Sequence, residues 1–150
     1  MRISKKIKPE HDRVIKSFDF IIKKFDLDLN LIISPMTPGK LKRYSQTNFT
    51  IERSNRGNHD RQTFLIFYNQ SLTSSISAGK LKRHAFHEVI HALTWPFIDE
   101  YNEVMKYIDS VELYNEMAAR AVDTRENVTY QLERKMGPHA LPEADWGDDE

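Results

Sequence analysis

The sequence predicts one α+β domain: an N-terminal helix, a small and mainly antiparallel three-stranded sheet, then a helix through residues 77–95 followed by a short and a long helix. Three observations predict it. Apolar residues recur at helical spacing over residues 9–25, strand-forming runs fill residues 26–68, and helical spacing then returns and persists to about Met136. A chain of 150 residues suits a single moderate core. The domain is placed at residues 1–137, and residues 138–150, acidic and without periodicity, read as a flexible tail.

Taken in order, Pro9 suits a first helical turn, and Val14, Phe18, Ile21, Ile22 and Phe25 form one apolar stripe. Leu27, Leu29 and Leu31 alternate before Ile32-Ile33, the pattern of a half-buried strand, which Pro35, Pro38 and Gly39 close in a turn. A second strand is expected over Arg43 to Arg53, and a polar loop around Gly57 leads to the continuous apolar run Thr63 to Tyr68, suited to a central strand. The two strands around that loop should form a hairpin. The next helix is expected from about Ser77 to Trp95, where Pro96 should stop or bend it. Phe97 to Ile108 marks a short helix. Asp109 and Glu112 have capping-box spacing for a long one that ends at Gly137-Pro138.

Composition narrows the function classes. Twenty-two basic and twenty-two acidic residues cancel, so no overall field favours nucleic acid or an anionic membrane. Without cysteine, disulfides and thiolate metal sites are excluded, and metal ligands would be His, Asp or Glu. The start, Met1 to Lys6, is followed by no apolar run of a signal peptide, and no segment is apolar enough to span a membrane; the expected location is the cytoplasm. The pentapeptide Gly-Lys-Leu-Lys-Arg occurs at 39–43 and again at 79–83. It reads first as solvated basic surface, with a basic rim that attracts acidic substrates or nucleic acid as the alternative.

The stretch His87-Glu88-Val89-Ile90-His91 carries the chemistry. Histidines four apart leave a helix on one face, so both can bind one zinc ion while Glu88 stays free to act as a base. With this composition, about 0.02 such matches are expected by chance in a chain. Phe86, Val89, Ile90, Ala92 and Leu93 are uncharged and suit a helix set into a core. A catalytic zinc site needs a third protein ligand and one open position. The metzincin pattern would put glycine at Thr94 and histidine at Phe97, and fails on both. The third ligand should then be a carboxylate from a later helix: Glu100, Glu103, Glu112, Glu116, Asp123 or Glu126.

The run Asn115-Glu116-Met117-Ala118-Ala119, some twenty-five residues after the second histidine, resembles the gluzincin arrangement of thermolysin-type peptidases. Its Glu-x-x-Ala step is also similar to the ImmA/IrrE-type metallopeptidases and related minigluzincins. The resemblance implies a zincin-like fold with His87, His91 and Glu116 as zinc ligands, Glu88 as base, and Glu112 as the alternative third ligand. It departs at Arg120, where thermolysin-type enzymes carry an acidic residue; Asp123 is the substitute carboxylate behind a zinc histidine. Such enzymes add a donor for the oxyanion, for which Tyr101, Tyr107, Tyr130 and His139 are candidates. The implied function is a zinc metallopeptidase acting on a protein or peptide. The alternatives are a zincin-fold binding protein without turnover and a DNA-associated protease.

Overall fold

The computed structural model describes residues 3–54 and 62–147. The loop around Gly57 and the last three acidic residues therefore lie outside the described residues. Helix α1 (Lys8–Lys24) has Pro9 in its first turn and buries Val14, Phe18 and Ile21 along one stripe. It ends where Asp26 takes a left-handed conformation (φ 50°) and the Leu27 amide donates to the Ile22 carbonyl at 3.0 Å. Strand β1 (Leu29–Pro35) follows, then helix α2 (Pro38–Arg43), strand β2 (Phe49–Arg53) and strand β3 (Gln62–Tyr68). A one-turn helix, α3 (Gln70–Thr73), leads to two long ones, α4 (Ala78–Met105) and α5 (Val111–Ala140).

The α+β class holds, with differences in detail. The sheet is mixed, in the order β1-β3-β2: β3 is central, parallel to β1 and antiparallel to β2. The strand expected from Arg43 begins only at Phe49. Residues 38–43 form a helix because Thr37 caps it, accepting from the Lys40 amide, and Pro38 sits in the first turn. The helix that carries His87 and His91 does not stop at Pro96, and among the described residues no separate short helix follows it before α5. Trp95 is held by an edge-to-face contact with Phe64 (5.5 Å) and by the Arg125 guanidinium over its ring, so tertiary contacts override the local bias of a residue before proline. The cap of α5 is Ser110, whose hydroxyl accepts from the Leu113 amide. That helix passes through Gly137-Pro138 to Ala140.

The core lies between the sheet and the pair α1 and α4. Phe49 on β2 and Ile66 and Tyr68 on β3 meet Val14, Phe18 and Ile21 from α1 and Leu81, Ala85 and Val89 from α4. Burying a side chain of this size is worth about 1.5–3 kcal/mol, which fixes the rotation of α4 about its axis. Residues 141–147 pack back onto the body. Trp146 lies against Gly137 and Phe86, and its indole N–H donates to the Leu141 carbonyl at 2.7 Å. Up to Gly147, the stretch read as a flexible tail is thus part of the packed structure. The outer half of α4 and the start of α5 leave Phe97, Val104, Tyr107 and Val111 exposed. Among the described residues, no helix is long and apolar enough to cross a membrane.

Candidate metal centre

With Leu81, Ala85 and Val89 committed to the core, a second stripe of α4, Arg83, His87 and His91, turns toward α5. The facing residues of α5 are Glu126, Thr129 and Glu133, spaced so that they share one helix face. The Nε2 atoms of His87 and His91 stand 3.1 Å apart. The Glu126 carboxylate is 3.3 Å from the Nε2 of His91 and 3.9 Å from that of His87. Among the described residues, these three side chains form a group able to hold a metal ion, with ligand atoms all within 4.8 Å of one another.

The other ring nitrogens are engaged from behind. Nδ1 of His87 donates to Glu133 at 2.7 Å, and the Thr129 hydroxyl lies 3.3 Å from Nδ1 of His91. Glu133 is itself buried and accepts from Nε of Arg83 at 2.9 Å. A histidine that donates through Nδ1 presents its Nε2 lone pair, as metal-binding histidines do. The 3.1 Å contact between the two Nε2 atoms is a hydrogen bond with one proton between them, the place that a shared cation would take. Tetrahedral zinc with bonds of about 2.0–2.1 Å sets ligand nitrogens roughly 3.3 Å apart, close to the separation present.

Burial pulls the His87 imidazole down, but its hydrogen bond to Glu133 and the nearby carboxylates outweigh this and hold it above the ordinary value. Burial, with the neighbouring His87 and Arg125 cations, lowers His91 to about 4. Glu133 is raised by burial but more strongly lowered by its bonds to His87 and Arg83. Glu88, next to His87 in sequence, is pushed up to about 7, chiefly by burial. A pocket of about 370 Å³ opens beside the centre, with His87, Glu88, Tyr130 and Glu133 on its walls. His91 is buried while the Glu126 side chain is half exposed, so the group is closed toward the core and open toward solvent.

The structure brings together His87, Glu88 and His91, but not Glu116. That residue is exposed and pairs with Arg120 at 2.7 Å. Glu126, considered from the sequence but passed over for the Asn-Glu resemblance, takes the place beside the histidines. Glu112 and Asp123 are exposed, and the carboxylate behind His87 is Glu133 rather than Asp123. The Tyr101 hydroxyl donates to the Met117 carbonyl at 3.0 Å, whereas Tyr130 lies on the pocket wall; Tyr107 and His139 are exposed. Sequence reasoning missed Thr129 and Glu133, although the spacing 126, 129, 133 on one helix was a readable signal. No protein-family model, curated protein or solved structure matches this chain.

Proposed function

We propose that the chain is a zinc-dependent peptidase with a zincin-like fold, in which His87, His91 and Glu126 hold the metal and Glu88 is the general base. One observation carries this reading: two Nε2 atoms and a carboxylate converge while both Nδ1 atoms are occupied from behind. Two imidazoles and one carboxylate, without cysteine, are the donor set of catalytic rather than structural zinc. Zinc bound there would act as a Lewis acid toward the scissile carbonyl and lower the pKa of the attacking water.

The chain's own residues supply the remaining work. Glu88, on the pocket wall beside His87, takes the water's proton and delivers it to the leaving nitrogen. Glu133 fixes the ring of His87, and Arg83 fixes Glu133. Tyr130 is the tyrosine on that wall, and it is the donor assigned to the developing oxyanion. Among the described residues β2 pairs only with β3, and it packs beside α4, so its outer edge offers main-chain hydrogen bonds to an extended peptide.

The test measures zinc content and cleavage of an unfolded protein by wild type, Glu88→Gln and Glu126→Ala. Wild type and Glu88→Gln should each hold about one zinc per chain, and Glu126→Ala should lose it. Cleavage should fall by roughly 10²–10⁴ in Glu88→Gln. Equal cleavage by wild type and Glu88→Gln would remove the proposed base.

A further inference from the structure

Residues 141–147, a tail by sequence, reach the metal centre through a chain of hydrogen bonds. The Gly147 carbonyl accepts from Nη1 of Arg83 at 3.2 Å. Nε of the same guanidinium donates to Glu133 at 2.9 Å, and the other oxygen of Glu133 accepts from Nδ1 of His87 at 2.7 Å. Arg83 and Glu133 are both buried, so the middle of this chain is shielded from water, where charged hydrogen bonds are strong. The Arg83 guanidinium also lies over the Trp146 ring, 5.4 Å from its centroid.

Two glycines make room for the segment. A Cβ at Gly79 would meet Asp145, and one at Gly137 would meet the Trp146 ring. The Asp145 amide donates to the Gly79 carbonyl at 3.1 Å. Its carboxylate accepts from the Gly147 amide at 3.0 Å, which sets the turn that aims the Gly147 carbonyl at Arg83. We propose that residues 145–147 are a strap that positions the zinc ligand His87 by way of Arg83 and Glu133, with Trp146 as its anchor. This rests on the metal-centre reading and names what holds that centre in shape. With the strap docked, the Arg83 guanidinium is held from both ends and passes that order on to Glu133. Lifting the strap loosens the metal, and binding the metal tightens the strap in return, as linkage requires.

The test measures zinc affinity of the full chain for wild type, Trp146→Ala, Trp146→Phe and Asp145→Ala, with folding checked by circular dichroism. Trp146→Ala should weaken zinc by at least about fivefold. Trp146→Phe, which keeps a ring under the guanidinium, should recover part of that loss. Asp145→Ala, at an exposed side chain, should keep the fold and weaken zinc by a smaller factor. In an Arg83→Met background, Trp146→Ala should have no further effect on zinc. A second readout needs no metal: the His87 Nδ1 proton, held on Glu133, should give a downfield NMR resonance that Trp146→Ala broadens or removes. Where wild type binds zinc, unchanged affinity in Trp146→Ala, or the same loss with and without Arg83, overturns the proposal, and so does a His87 resonance indifferent to Trp146. Absence of zinc binding by wild type, with that resonance still governed by Trp146, would sink the metal reading and leave the strap standing.

Discussion

Glu133 joins both helices of the centre through one carboxylate, with Arg83 on one oxygen and His87 on the other. Its replacement by Gln should reach two measurements. Zinc affinity should fall by about 10–100-fold, because the His87 ring loses its fixed orientation. Stability should fall by roughly 1–3 kcal/mol, because the buried hydrogen bond from Arg83 to Glu133 loses its charged acceptor. Unchanged zinc affinity would mean that Glu133 is only a packing residue. A second residue-scale prediction concerns Tyr68, fully buried, with its hydroxyl 3.1 Å from Nδ1 of His11. Burial first, and the Glu10 and Asp12 carboxylates next, push its phenol up to about 12. The folded value lies above the ordinary one, so the associated stability is complete below about pH 10 and is lost as pH rises through 12. Wild type should lose roughly 2–3 kcal/mol more than Tyr68→Phe over that window, read from urea midpoints. Equal losses would contradict the assignment.

Helix register decides which glutamate meets the histidines. The contact pairs 87 with 133, 91 with 129 and 101 with 117 have nearly the same sum of residue numbers, the mark of two antiparallel helices in a fixed register. Glu116 lies ten residues before Glu126, about 15 Å along the helix axis, and so faces the outer part of α4. The motif on α4 was legible because its spacing is local. The carboxylate that meets the histidines was not, because its position depends on how far α4 runs before the chain turns back. A helix assumed to break at Pro96 puts that turn in the wrong place, and Trp95, held by Phe64 and Arg125, is what carries the helix onward. The Gly137-Pro138 boundary failed for a similar reason. An added Cβ at Gly137 would stand 2.1 Å from the Trp146 ring, so glycine serves there as a seat for the indole rather than as a helix stop. Gly137→Ala should expel Trp146, shift its fluorescence to the red and cost about 1–3 kcal/mol despite alanine's better helix propensity. In a Trp146→Ala background the same change should be neutral or stabilising. An equal cost in both backgrounds would break the link between the two residues.

At the scale of the molecule, the sheet and α1 hold one side of α4, and the His87, His91 and Glu126 group lies where its other side meets α5. The α+β class, the first helix and the central β3 were legible from periodicity and β-propensity. The parallel pairing of β1 with β3 was not, because a short capped helix stood where a longer strand was expected. If zinc joins α4 to α5, its binding must stabilise the fold by mass action, about 2.7 kcal/mol at a hundredfold excess over Kd. Thermal unfolding should therefore move up by several degrees with zinc and return with a chelator. Glu116→Ala should keep that shift, and Glu126→Ala should lose it. The central claim is that one divalent cation sits between these helices, and anomalous X-ray scattering at the zinc edge, from crystals grown with zinc, tests it most directly. The account predicts a single peak within about 2.0–2.2 Å of Nε2 of His87, Nε2 of His91 and a Glu126 oxygen. A peak beside Glu116, or imidazoles turned apart with no peak between them, would contradict it.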